Sequence, residues 1–266
     1  MDWNSLDTAR AFLQAGSPEP AIHLLRELRR SFLHPAVGPL LAQAMRAAGD
    51  PDAGERVLAE DCFVGIADHW TWLTRADLME QGARADIASL HRAKAYELLG
   101  WPHCASKGYR FDGDEVSQLL PLWSRVFGLL LPRGPLQVLS VHGGSGGFAL
   151  WALERLAHRG GLLATSGSFD DSFTENLLRT GAEELHQPMD ALLEAEAVPH
   201  WDVIHLGPRC VPMDGCQELL RSMLMPEGVM LAHDETCLNG EETIYPGVQL
   251  AGLMALAEEV DQGWSS

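Results

Sequence analysis

The sequence predicts an α/β fold in its second half, a parallel sheet covered by helices on both faces, preceded by an all-α helical-repeat region. Three observations carry this. From Leu136 onward, short apolar runs alternate with helical patterns. The first of those runs ends in a glycine-rich turn, His142-Gly143-Gly144-Ser145-Gly146-Gly147. In the first third, Gly16, Gly49 and Gly82 recur 33 residues apart, each between two helical patterns. The expected division is 1–100 for the repeats, 101–134 for a linker and connecting helix, and 135–266 for the sheet domain.

The repeat helices are expected as three pairs. They run over 6–15 and 18–32, 39–48 and 51–62, and 70–81 and 84–99. Leu24, Val57 and Leu90 hold the same register eight positions after each glycine. Pro18 and Pro51 open two of the second helices, where a missing N–H costs nothing. A helix–turn–helix unit of this period resembles the tetratricopeptide repeat, one residue short of its usual length and with most of its aromatic positions absent. Such units stack to share a buried face and leave a concave one. This implies either a docking surface for a peptide, carrier protein or second subunit, or a helical lid or dimerisation element for the domain that follows.

The segment 100–113, with Trp101-Pro102 and Phe111-Asp112-Gly113, reads as a linker, and 114–130 as an apolar helix. Strands are then expected over 136–141, 161–165, 183–186, 203–206 and 229–233. Helices are expected between them over 148–158, 171–180, 190–195 and 214–224, with a last helix over 248–260. In sheets of this kind, ligands bind beyond the carboxyl ends of the strands, where strand order reverses.

Composition narrows the functions. A formal charge of −18 over 266 residues opposes a polyphosphate backbone, so no nucleic-acid partner is expected. Arg26, Arg29 and Arg30 read as a solvated helix face. No apolar run suits a bilayer span and Met1-Asp2-Trp3-Asn4 does not open a signal peptide, so no membrane partner is expected. Five cysteines with no C-x-x-C pair suit a reducing, cytoplasmic setting.

The glycine turn is where chemistry is expected. Glycine lets backbone approach a ligand closely, and the helix after it presents unpaired N–H groups. Further along, Trp201-Asp202-Val203-Ile204-His205-Leu206 forms the fourth strand. Leu224-Met225-Pro226-Glu227-Gly228-Val229-Met230-Leu231-Ala232-His233-Asp234 leads through the fifth, and Pro246-Gly247-Val248 opens a helix. On these residues the second half resembles the class I S-adenosylmethionine-dependent methyltransferases, specifically the subgroup with I-H-L-D-G-D-H and H-D strand ends. The resemblance implies a Rossmann-like sheet of that type and S-adenosylmethionine as cofactor. Because the helix over 248–260 falls close to Ser266, the sheet is expected to lack the family's last antiparallel strand pair. The helical repeats, a homodimer or another subunit would then cover its edge.

Carried over position by position, the resemblance assigns His142, Gly143, Gly144, Ser145 and Gly146 to the donor's methionine end and counts Ser140 among the cofactor-binding residues. It assigns Ser166 to the ribose and Asp190, in Met189-Asp190-Ala191, to the adenine amine. Ser140 and Ser166 stand where the family has acids, His142 replaces its first glycine, and Gly207 replaces the fourth-strand aspartate. A serine accepts hydrogen bonds without charge or a second oxygen, which should weaken ribose binding. His233 or Asp234, with His205 behind them, are the candidate catalytic bases.

No divalent metal is expected. His205, His233, Asp234 and Glu235 show no spacing that demands one, and Cys210, Cys216 and Cys237 match no zinc pattern. H-G-G-x-G-G also resembles the oxyanion loop of α/β-hydrolases. Thr165-Ser166-Gly167-Ser168, however, lacks the first glycine of a nucleophile elbow. Two functions remain. One is a methyltransferase acting on a small-molecule or carrier- or peptide-bound substrate. The other is a catalytically inactive methyltransferase-like subunit that binds a protein partner through its repeats.

Overall fold

The structure is a computed structural model that describes residues 3–82, 84–196, 198–207 and 216–232. It divides into two compact units, Met1–Ser117 and Gln118–Ser266. Among the described residues no helix is long and apolar enough to cross a membrane.

The first unit holds α1 (Trp3–Gln14), α2 (Pro18–Ser31), α3 (Val37–Ala47), α4 (Pro51–Phe63), α5 (His69–Gln81) and α6 (Ala85–Leu98). Each helix packs on the next, and α3 also meets α1 and α5. Helix starts follow local chemistry. Asp50 caps α4 by accepting from the Ala53 N–H at 3.0 Å, and Asp68 and Thr71 form a reciprocal box at α5. Gly16 and Gly49 end α1 and α3 in left-handed backbone at φ 69° and 86°. There the Ser17 and Asp50 amides reach back to Phe12 and Met45 carbonyls at 2.9 Å. Gly82, the third glycine of the period, has φ −80°, so the steric need for glycine applies only to the first two.

The 33-residue spacing also organises packing. Leu25, Leu58 and His91 are equivalent positions, as are Ala21, Gly54 and Ile87, and Ala9, Ala42 and Arg75. Leu25 and Leu58 are fully buried, and a Cβ on Gly54 would lie only 3.0 Å from the Ala42 carbonyl oxygen. Between pairs, the Arg29 guanidinium bridges the fully buried Asp61 and, at 3.1 Å, the exposed Glu60. Gly38 leaves room for the Asp61 carboxylate. In the third pair, polar groups enter the core register. Arg75 Nε donates to Glu55 at 3.1 Å, its guanidinium lies 5.3 Å from the Trp72 ring centre, and Trp72 lies 5.4 Å from His91.

The segment expected as a linker belongs instead to the core of this unit. Trp101, Cys104, Tyr109 and Phe111 are buried, and Tyr96 stacks on Trp101 at 6.2 Å and meets Phe111 edge-on at 5.1 Å. Ser89 Oγ accepts from the Phe111 N–H at 2.8 Å, and Arg92 donates to the Phe111 carbonyl at 2.9 Å. Glycine and proline signal loop backbone correctly, but three aromatic side chains give that loop enough apolar area to pack. Nor is 114–119 helical. Asp114 accepts from the Ser117 N–H and the Tyr96 hydroxyl, both at 3.0 Å, and helix α7 starts at Leu120.

The second unit begins with α7 (Leu120–Leu130). It continues through β1 (Leu136–Val141), α8 (Gly147–Leu156), β2 (Gly161–Ser166), α9 (Ser172–Thr180), β3 (His186–Pro188) and α10 (Met189–Glu194). β4 (Trp201–Leu206), α11 (Cys216–Ser222) and β5 (Leu224–Ala232) complete the described part. The run expected as a strand over 183–186 is a 3₁₀ turn, Glu183–Leu185, and β3 starts only at His186. All strand pairings are parallel, in the order β3-β2-β1-β4-β5. This is the Rossmann-like α/β arrangement expected. Val138, Leu163 and Val203 are buried, as are Leu139, Ala164 and Ile204, so the central strands have no solvent face. The expected last helix and any further strand lie outside the described residues.

His91 supplies a test of the register. Burial, with the nearby Arg75 charge, pushes its imidazole down to about 4 from an ordinary 6.5. The unfolded chain then takes up a proton first as pH falls, so folded-state stability is lost between about pH 6.5 and about pH 4. In His91→Leu, which restores the residue found at the two equivalent positions, that loss should shrink. Urea unfolding of the full chain across this window measures it, and an unchanged pH profile would assign the loss to other groups. Arg29→Ala strands the Asp61 carboxylate and should cost about 3 kcal/mol in the same assay.

Candidate functional site

Strand order reverses direction between β1 and β4: the chain leaves β1 toward β2 and β3, then returns to β4. The glycine turn sits at the carboxyl end of β1, beside that reversal, where α/β sheets place ligands. His142, Gly144 and Gly146 adopt left-handed backbone at φ 50°, 58° and 79°. Gly146 is also the N-cap of α8, without a side-chain cap. Such a turn carries N–H groups and a helix start toward the strand ends.

In this structure the turn is covered by its own chain. Gly143, Gly144, Ser145 and Gly146 are all buried. A Cβ on Gly143 would overlap the Phe169 ring, and one on Gly146 would overlap Phe173. The two rings lie 4.4 Å apart. The segment after β2 pairs with the turn: Gly144 and Phe169 form a parallel bridge, and the Asp170 N–H donates to the Gly144 carbonyl at 2.8 Å. His142 adds a clasp, its Nδ1 accepting from the Ser168 N–H at 3.1 Å and sharing a hydrogen bond with the Ser168 hydroxyl at 3.1 Å. Phe169 and Phe173 carry no functional signal in the sequence, and Ser168 stands out there only within the incomplete nucleophile elbow. An i, i+4 aromatic pair opening a helix is the ordinary pattern of a core face, so only the three-dimensional position distinguishes it.

Ser140 and His205 face each other across β1 and β4. Ser140 is fully buried, and its Oγ shares a hydrogen bond with His205 Nδ1 at 3.2 Å. The imidazole lies flat on Phe148 at 4.0 Å and edge-on to Trp123 at 5.8 Å, with 2% of its surface exposed. That surrounding makes His205 a core residue. Beside it, Gly207 donates its N–H to the Val141 carbonyl at 2.8 Å. A side chain there would run into the backbone of His142 and Gly143. The position read as a missing aspartate is therefore filled by the glycine turn itself.

The remaining assignments are scattered along the same edge. Ser166 ends β2, half-buried, and its carbonyl accepts from the His142 N–H at 2.9 Å. Asp190 is exposed in the first turn of α10, just past the carboxyl end of β3. Between them, Thr165 Oγ1 and His186 Nε2 lie 2.8 Å apart, and burial lowers the His186 imidazole below its ordinary range. His233, Asp234, Glu235, Cys210 and Cys237 lie outside the described residues. Among the described residues no group of three or more histidine, cysteine or acidic side chains could hold a metal ion.

In comparison with known proteins, no family model matches the chain and no curated protein matches it.

Gly207→Ala tests the close approach. The added methyl meets the His142 and Gly143 backbone, so the turn or β4 must shift, and the substitution should cost about 1–3 kcal/mol in denaturant unfolding. Stability equal to wild type would mean that the strand ends lie farther apart than described.

Proposed function

We propose that the second unit is a class I methyltransferase-type domain. It binds S-adenosylmethionine at the carboxyl edge of β1, β2 and β3 and methylates a small-molecule or carrier- or peptide-bound acceptor. The observation that carries this reading is placement. The order β3-β2-β1-β4-β5 aligns the glycine turn, Ser166 and Asp190 along one sheet edge, in the sequence methionine end, ribose, adenine. The left-handed glycines and the exposed Asp190 carboxylate fit those roles. The donor's sulfonium supplies an activated methyl group. The protein's part is positioning, with a base where the acceptor is a hydroxyl. His233 or Asp234, which follow β5 in the sequence, is assigned that base. The first unit is read as tetratricopeptide-like repeats that present the acceptor.

A second reading has its own support. Serines replace both expected acids, Ser140 is committed to His205, and the glycine turn is buried. These fit an inactive methyltransferase-like subunit that works through a protein partner on its helical unit.

Calorimetric titration of the full chain with S-adenosylmethionine and S-adenosylhomocysteine separates the two. The donor reading expects saturable binding that weakens about tenfold or more in Asp190→Ala, which removes a charge-assisted hydrogen bond. No binding up to millimolar ligand, by wild type or by the opened variants described below, would leave the partner-binding reading in its place.

A further inference from the structure

We infer that the segment Gly167–Phe173 is an intramolecular strap that occupies the glycine turn and must swing away before a donor can enter. The inference rests on the donor reading above and adds to it a closed state of the same site.

Gly143 and Gly146 are the two positions that the strap covers. The absent side chains that would let a ligand approach the turn are here filled by Phe169 and Phe173, since a Cβ at either position would overlap a ring. Ring and ligand need the same space, so the two occupants exclude one another. The turn's polar groups are likewise engaged within the chain. The Gly144 carbonyl takes the Asp170 N–H at 2.8 Å, the Gly146 N–H goes to the Gly143 carbonyl at 2.9 Å, and the His142 N–H goes to Ser166 at 2.9 Å.

The strap is also built to move. It leaves β2 through Gly167, exposed and at φ 80°, a backbone state in which glycine turns at little cost. A Cβ on Gly167 would lie close to His142 Nδ1, so the clasp closes over the hinge itself. At its far end, α9 begins at Ser172 without a side-chain cap from Asp171. Ser172 Oγ is buried with no hydrogen-bond partner, so the closed form leaves a polar group unsatisfied that opening would return to water. The hold is local: the His142 clasp, the backbone pairing with Gly144 and the aromatic pair.

A closed population raises the apparent dissociation constant to the intrinsic value divided by the fraction open. Two substitutions loosen the strap by independent routes. Phe169→Ala removes the ring over Gly143. His142→Gly removes the clasp and places glycine at φ 50°, where it is unstrained. Titration of the full chain with S-adenosylhomocysteine should show both variants binding about tenfold tighter than wild type, the scale of one aromatic contact. In saturated wild type, hydrogen exchange should report lost protection of the Asp170 amide.

If wild type binds and neither variant binds tighter, or the Asp170 amide stays protected in the complex, the strap is overturned while the donor reading stands. If wild type and the folded variants all fail to bind, the donor reading is overturned and the strap with it. Should Phe169→Ala fail to fold, His142→Gly carries the comparison, because it leaves the aromatic pair in place.

Discussion

The second unit depends on one close approach, the meeting of the glycine turn with the end of β4. β1 lies at the centre of the sheet and pairs with both β2 and β4, so whatever follows Val141 must pass between two neighbouring strand ends. Gly207 allows it, because no side chain stands between β4 and the His142 backbone. With the turn seated there, Gly146 directs α8 back over the sheet, and nearly every residue of α8 is buried as a result. Phe148 then lands on His205, and Trp151 lies 5.9 Å from Trp123, joining α7 to the same core. A displaced turn would misplace the helix that fills the core as well as the candidate site.

The same seating turns polar residues near the strand ends inward. Ser140 Oγ and His205 Nδ1 share a hydrogen bond inside an aromatic enclosure, where an unpaired polar group would be costly. An acid at Ser140 would bring a charge into that enclosure. Serine meets His205 there without bringing a charge.

The first unit is held by a different balance. Its helix pairs share small residues at crossing points, Ala21 and Gly54 among them, and a buried Arg29–Asp61 pair ties α2 to α4. The third pair departs from the apolar register at Arg75 and His91, and the aromatic segment through Phe111 closes that end. A polar substitution in the stack is tolerable where Glu55 neutralises Arg75 and Trp72 lies alongside both Arg75 and His91.

Much was legible in the amino-acid order, because it rests on near-neighbour physics. Helix periodicity, the glycines at α1 and α3, the alternation of strand and helix, and the turn after β1 all follow from local spacing and backbone preference. What lay beyond it was every relation between residues distant in sequence but adjacent in space. That the 101–111 aromatics pack on α6 was hidden by loop-like glycine and proline. That His205 belongs to Ser140 and Phe148 required the pairing of β1 with β4. That the glycine turn is filled by Phe169 and Phe173 required the path of the chain after β2. Local sequence determines where backbone can bend and which face is apolar; which side chain enters a given space is decided only when the sheet brings its edges together, because that choice is set by competition for volume.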